Sequence, residues 1–176
     1  MILSIDPGTD ACGVAAWRDN GTLIRAELVK AHDYRPGLYG RKEMAAELYE
    51  FLIARIDDVG AGEDRHLITE YPQTYGGHAG KGDTNDLLSL CSTIGYFERD
   101  LNRHFRTITE VLPSRWKGQI PKPKSVKDPY IVQERVKAEL RPHELACVTW
   151  PGNKKLQWDV ADAIGIGLWH FKRAFK

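Results

Sequence analysis

Four acidic residues stand where their carboxylates could act together on a ligand, although they come from distant parts of the chain. Asp6 ends an apolar run at the N-terminus, and Glu70 follows another apolar run. Asp159 and Asp162 are three residues apart in a helical pattern, so they share one helix face. Gathered carboxylates repel each other unless a cation relieves the repulsion. Carboxylate oxygens favour Mg²⁺ or Mn²⁺, and two such ions about 3.5–4 Å apart can hold the attacking water and the leaving oxygen of a phosphodiester.

Each of these acids also has an ordinary structural explanation. Asp6 precedes a Pro-Gly pair and could organise a turn, and Asp159 could be the N-cap of its helix. A charge is less expected at Glu70, after an apolar run, or at Asp162, among apolar helix residues. All four being structural at once is less expected than any one alone, so we predict a carboxylate site that binds two divalent ions.

The elements that must position these acids follow from hydrophobic periodicity and turn signals. Five strands are predicted over residues 1–5, 12–18, 22–30, 66–71 and 107–112, and four helices over residues 42–57, 86–102, 128–140 and 157–175. Loops are predicted over residues 74–83 and 113–127. Asn20-Gly21 is a hairpin signal, so the first three strands should be antiparallel.

A helix between two strands implies a right-handed crossover and parallel pairing. Strand 1–5 should therefore lie in the middle of the sheet beside strand 66–71, about 4.8 Å away. Asp6 and Glu70 would then project near one point. The predicted fold class is α/β, with a five-stranded mixed sheet flanked by helices.

The composition fits one intracellular domain over residues 1–176. Hydrophobic residues make up 42% of the chain and aromatic residues 10%, which is enough for a core. The three cysteines are odd in number and show no C-x-x-C spacing, which fits a reducing cytosol. With no signal-peptide pattern and no apolar run of about 18 residues, we expect a soluble, cytoplasmic protein with no membrane partner.

Basic residues are concentrated in one segment, although the formal net charge is only +1. Residues 115–127 contain five basic residues and no acid: Arg115, Lys117, Lys122, Lys124 and Lys127. Such a segment suits a polyanion. A solvated loop is the alternative interpretation.

Three motifs resemble those of the RuvC-type Holliday junction resolvases, within the RNase H-like superfamily. Residues 2–8 (ILSIDPG) are similar to the opening strand and turn, and residues 67–70 (LITE) to the strand that ends in a catalytic glutamate. Residues 159–164 (DVADAI) resemble the third motif, on the last helix. The motifs occur in the family's order. Residues 113–122 are similar to phage-encoded members, and the implied location is the bacterial cytoplasm.

The resemblance implies an RNase H-like fold and a homodimer that nicks opposing strands of a four-way DNA junction, leaving 5′ phosphates. Asp6, Glu70, Asp159 and Asp162 would be catalytic metal ligands. One ion would be held mainly by Asp6 and Asp162, and the other by Asp6 and Glu70. Lys117 resembles a basic residue near the scissile phosphate. We expect the basic residues of 115–127 and the pair Lys154-Lys155 to contact backbone phosphates, which would make the affinity strongly salt-dependent.

The family often places an aromatic wedge soon after the catalytic glutamate. Tyr71 and Tyr75 could stack on unpaired bases there. They could equally be packing residues.

Other functions remain open at this stage. A nuclease of the same fold could act on forks, flaps or RNA-containing duplexes. A non-catalytic DNA-binding module is disfavoured, because a pure binder has no reason to gather acids near phosphates. A nucleotide-binding relative of the actin and sugar-kinase superfamily would need a second lobe, for which 176 residues are too few.

Overall fold

The computed structural model describes residues 1–32, 38–57, 64–72, 84–117 and 131–173. Five strands form one sheet in the order β3-β2-β1-β4-β5. They are β1 (Ile2–Asp6), β2 (Ala11–Trp17), β3 (Leu23–Lys30), β4 (His66–Glu70) and β5 (Thr107–Val111). The first three strands are antiparallel, and β4 and β5 continue the sheet parallel to β1. The predicted mixed sheet, with β1 in its middle, is confirmed.

Helices flank this sheet. They are α1 (Leu38–Asp57), α2 (Thr84–Leu101), α3 (Pro113–Trp116), α4 (Ile131–Glu139), α5 (Pro142–Leu145), α6 (Gln157–His170) and a 3₁₀ turn (Lys154–Leu156). The helix predicted from residue 128 corresponds to α4, but its first residues and the loop predicted over 74–83 lie outside the described residues. No helix in the described ranges combines the length and the apolar character needed to cross a bilayer.

The prediction of a loop over residues 113–127 is wrong at its beginning, where α3 forms one helical turn. Pro113 occupies the first helical position. That position tolerates proline because its N–H would have no helical acceptor and its φ is already suitable. The prolines were interpreted as loop signals, whereas the first of them starts a helix.

The prediction that the last helix reaches residue 175 is also wrong, since α6 ends at His170. Lys172 has a φ of 53°, in the left-handed region. The N–H of Arg173 donates to the carbonyl of Leu168, and the N–H of Lys172 to that of Trp169. This is a Schellman motif, which terminates the helix.

Side chains along each strand alternate between two buried layers. On β1, Leu3 and Ile5 pack in the layer of α1 and α2, whereas Ile2 faces the layer of α4 and α6. On β4, Ile68 faces the α6 layer. Asp6 and Glu70 have the same parity as Ile2 and Ile68, so both strands end with an acid on the α6 side.

Close contact between α6 and the sheet depends on small and polar residues. The hydroxyl of Ser4 donates to the carbonyl of Ala163 over 2.7 Å. Gly13 pairs with Asp6 across β1 and β2, and a Cβ on Gly13 would lie 1.8 Å from the carbonyl oxygen of Asp159. Any larger residue at Gly13 would push the start of α6 away from the end of β1.

Candidate functional site

The four predicted acids meet at the carboxyl edge of the sheet. Ile5 pairs with Thr69 in the parallel register of β1 and β4, so Asp6 and Glu70 are the next residues on neighbouring strands. Asp159 lies in the first turn of α6 and Asp162 follows in the next turn. The acids are close enough for their charges to raise one another's pKa. Sheet parity and helix spacing therefore bring together all four carboxylates.

The electrostatics of this carboxylate cluster are dominated by burial and mutual repulsion. Burial raises the pKa of Asp6 well above its ordinary value, and the charges of Glu70 and Asp162 raise it further. Burial also raises the pKa of Glu70 and of Asp162. The pKa of Asp159 rises to about 6, first through burial and then through Asp162 and Asp10. Asp10 is a nearby acid to which the sequence analysis assigned no role.

Lys117, the C-cap of α3, is inserted between these acids. Its Nζ lies 3.2 Å from Oε2 of Glu70 and 2.6 Å from Oδ2 of Asp162. Burial lowers the pKa of Lys117, but the charges of Asp162, Asp6 and Glu70 outweigh this effect and raise it. Among the described residues, the ammonium of Lys117 therefore faces four carboxyl groups, more than it can neutralise when all of them are ionised.

Trp116 holds Glu70 in place, a role that the sequence analysis missed. Its indole Nε1–H donates to Oε2 of Glu70 over 2.7 Å, and its side chain is fully buried. Gly165 of α6 leaves room for the ring, because a Cβ there would lie 2.5 Å from Cζ3 of Trp116. The available signals were the proline that starts α3 and the glycine in the buried stripe of α6.

The donor set suits a hard divalent cation. As the side chains lie, the described residues contain no group of three or more acidic, His or Cys side chains arranged to hold a metal ion. The four carboxylates nevertheless supply only oxygen ligands, the kind that Mg²⁺ and Mn²⁺ prefer. A divalent ion would offset the burial and the mutual repulsion that raise their pKa values. The chemistry of these residues therefore fits the predicted ions.

Of the other predicted DNA-binding residues between 71 and 127, the structure describes Arg115 and Tyr71. Arg115 is exposed on α3. Tyr71 is half-buried and packs against the α1 and α2 layer, on the sheet face opposite the carboxylate cluster. Its stacking on bases stays a prediction. Four residues lie outside the described part of the chain: Tyr75, Lys122, Lys124 and Lys127.

Comparison with known proteins supplies fold relatives but no sequence relatives. No protein-family model matches this sequence, and no curated protein matches it. The chain is similar to T. thermophilus RuvC in complex with a Holliday junction substrate, with 15% identity, a TM-score of 0.59 and coverage of 96% of this chain and 90% of that one. A second Thermus thermophilus RuvC structure gives 16% identity, a TM-score of 0.56 and coverage of 99% and 98%.

The yeast mitochondrial Holliday junction resolvase Ydc2 is also similar, with 11% identity, a TM-score of 0.52 and coverage of 98% of this chain and 79% of that one. All three neighbours share the fold over nearly the whole of this chain. At these identities the likeness concerns the fold and not the site residues. The resemblance predicted from the three motifs is thus confirmed in the architecture: this chain has the RuvC-type, RNase H-like fold.

Proposed function

We propose that this protein is a metal-dependent endonuclease that resolves Holliday junctions in DNA. One observation carries the proposal. Acids from β1, β4 and α6 converge at one sheet edge with Lys117 between them, on the fold of RuvC. Burying several acids together destabilises a fold, and function is the usual reason for keeping such a group.

Asp6 and Asp162 would hold one ion, and Asp6 and Glu70 the other, with Asp159 completing a shell or orienting water. The chemistry that such ions would supply is activation of a water for in-line attack and stabilisation of the leaving 3′ oxygen, which would leave a 5′ phosphate. Asp6, at the end of the central strand, would contribute to holding both ions.

The chain's own residues do the positioning. Trp116 fixes the orientation of Glu70 through its indole hydrogen bond. Lys117 offsets part of the negative charge of the cluster, and the exposed fraction of its side chain is 28%. It can therefore also balance the charge that develops on a phosphate brought to the site.

Junction selectivity, paired symmetric nicks and a homodimer are the finer parts of the proposal. The fold shared with a RuvC–junction complex supports the binding of branched DNA. The paired nicks and the homodimer rest on the resemblance of the three sequence motifs. The alternative is a broader nuclease of the same fold that cuts forks, flaps or RNA/DNA duplexes. A non-catalytic DNA-binding module is disfavoured, because an acid cluster that Lys117 offsets only in part would repel the phosphates that it must bind.

The test is cleavage of a synthetic four-way junction with fixed arms in Mg²⁺, mapped on denaturing gels beside fork, flap, RNA/DNA and linear duplex substrates. We expect paired cuts at symmetric positions of the junction, with little cutting of the linear duplex. Equal rates on all branched substrates would favour the broader nuclease. No cleavage of any substrate, with a correctly folded protein, would contradict the proposal.

Lys117→Ala tests the charge-balancing role within the same assay. We expect the cleavage rate to fall more than the affinity for the junction, because the lysine acts at the reacting phosphate. Arg115→Ala, which removes the exposed cation two residues away on α3, is the matched control. A loss of affinity with an unchanged rate of cleavage would refute this role for Lys117.

A further inference from the structure

A cleft of about 690 Å³ opens beside the carboxylate cluster. Asp159 belongs to both, since its side chain is part of the cluster and also lines the cleft. The other walls come from the turn after β1, from α1 and α2, and from the 3₁₀ turn before α6. A polymer bound at the cluster can therefore continue into this cleft without leaving the protein surface.

The charges of the cleft fall into two groups. Its acids, Asp10 and Asp159, come from the turn after β1 and from the first turn of α6, and both act on the carboxylate cluster. Its cations are Arg41 on α1 and Lys155 on the 3₁₀ turn. The proposed function assigns no role to these two cations.

Arg41 has the surroundings of an anion ligand. It is half-buried, and its Nη1 donates to the hydroxyl of Ser89 on α2 over 2.8 Å. Its Nε is buried without a hydrogen-bond partner, and no acid in the described ranges forms an ion pair with it. Withdrawing a guanidinium from water without an acidic partner is unfavourable. A phosphate in the cleft would compensate, because its oxygens match the planar donor array of arginine.

Lys155 supplies the second cation, and its neighbour supplies a control. The backbone N–H of Lys155 donates to Oδ1 of Asn153 over 3.0 Å, which fixes the start of the 3₁₀ turn. Lys155 lines the cleft and is close enough to Asp159 to oppose the rise of its pKa. Lys154 lies on the same turn and is also exposed, but it does not line the cleft. The two lysines therefore differ in position and not in charge.

We propose that Arg41 and Lys155 form a binding subsite for a backbone phosphate of the DNA strand, next to the phosphodiester that the carboxylate cluster cleaves. This inference rests on the proposed function. This subsite binds the strand next to the carboxylate cluster. It recognises the charge of the backbone and not the identity of the bases, and it thereby positions the scissile phosphate.

The experiment measures junction affinity in EDTA, without cleavage, between about 50 and 200 mM salt. Arg41→Gln and Lys155→Gln should each weaken binding on the order of tenfold. Each should also reduce the slope of log affinity against log salt by about 0.9, which is the loss of one phosphate contact. Lys154→Gln and Arg99→Gln, whose arginine is paired with Asp100 at the far end of α2, should leave the slope unchanged.

Two further variants separate binding from packing. Arg41→Lys keeps the charge and should keep the slope, whereas Ser89→Ala removes the hydrogen bond but leaves the cation. If Ser89→Ala reproduces the effect of Arg41→Gln, Arg41 acts by joining α1 to α2 and the subsite is refuted. Equal slopes for Lys154→Gln and Lys155→Gln would refute it as well.

The outcomes also distinguish this inference from the function on which it rests. If the wild-type protein neither binds nor cleaves any branched DNA, the proposed function fails and the subsite fails with it. If the wild-type protein binds and cleaves junctions but Arg41→Gln and Lys155→Gln retain its salt dependence, the subsite alone is overturned.

Discussion

Glu144 and the carboxylate cluster are both acidic and both buried, yet their surroundings shift the pKa values in opposite directions. The side chain of Glu144 has no exposed surface. Arg173 donates to both of its oxygens, each over 2.7 Å, and the backbone N–H groups of Leu23 and Arg141 donate at 2.9 and 3.0 Å. Burial opposes ionisation, but these donors prevail and lower the pKa of Glu144 to about 2.

The acids of the carboxylate cluster do not have the set of hydrogen-bond donors that surrounds Glu144. Its pKa values are raised because burial and mutual repulsion exceed what Lys117 and Trp116 can offset. An acid whose hydrogen bonds are all satisfied stabilises the fold, whereas buried acids with raised pKa values are candidates for binding a ligand. Satisfaction of the charge, rather than burial itself, therefore separates the structural acid from the proposed functional ones.

The largest expected effect is that of Asp6→Asn. We expect junction cleavage in Mg²⁺ to fall by more than about 100-fold, since even outer-shell residues of metal sites typically contribute about 10–100-fold. Because the pKa of Asp6 is raised in the fold, its ionised form destabilises the protein at neutral pH, so the variant should unfold at the same or a higher urea concentration without metal. Single-turnover cleavage and urea titration measure the two effects. Wild-type cleavage would remove Asp6 from the mechanism.

Glu144→Gln should behave in the opposite way. It leaves Arg173 buried without its carboxylate, which costs about 3–5 kcal/mol in the free energy of unfolding. Cleavage per folded molecule should stay unchanged, because Glu144 lies outside the carboxylate cluster. Urea unfolding at neutral pH measures the loss. A variant as stable as the wild type would show that saturation by hydrogen bonds does not identify a structural acid.

The stabilisation that Glu144 gives to the fold depends on pH, and the lowered pKa of this residue determines the direction. The pKa of Glu144 is about 2 in the fold against an ordinary 4.5, so its stabilisation, about 3 kcal/mol, is complete above 4.5 and is lost as the pH falls towards 2. The difference in unfolding free energy between wild type and Glu144→Gln should shrink over this window. A constant difference from pH 7 to pH 2 would contradict the assigned cause.

Trp116→Phe tests whether the indole hydrogen bond of Trp116 positions Glu70 for metal binding. Phenylalanine keeps most of the buried ring but removes the N–H that donates to Glu70. We expect Mn²⁺ to bind about 10–100-fold more weakly, as measured by titration of the metal-free protein. Trp150→Phe is the control, because Trp150 packs beside Lys137 on α4. If both variants bind Mn²⁺ as the wild type does, Trp116 only fills space.

The sheet and the convergence of its acids could be predicted from sequence because their signals are local. Asn20-Gly21 marks the β2–β3 hairpin, and Gly21 has the positive φ, 78°, that this signal implies. Strand parity then determines which face Asp6 and Glu70 occupy.

Long-range contacts determine what the sequence analysis missed. Trp116 meets Glu70 across 46 residues of chain, and Arg173 meets Glu144 across 29 residues. Arg173 lies in the turn that ends α6 before residue 175, whereas helix propensity alone would continue the helix through this turn. Arg41 likewise reaches the cleft only because α1 and α2 pack together. No local pattern contains these pairings.

The smallest expected effect comes from an ion pair that is not buried. Asp64 and Arg106 form a salt bridge with exposed fractions of 64% and 65%. Asp64→Asn should change the free energy of unfolding by no more than about 1 kcal/mol, and added salt should reduce that difference further, because water and ions already screen the pair. Urea unfolding at low and high salt, beside Glu144→Gln, measures the contrast. A loss at Asp64 as large as that at Glu144 would mean that pairing alone, without burial, gives an acid its structural role.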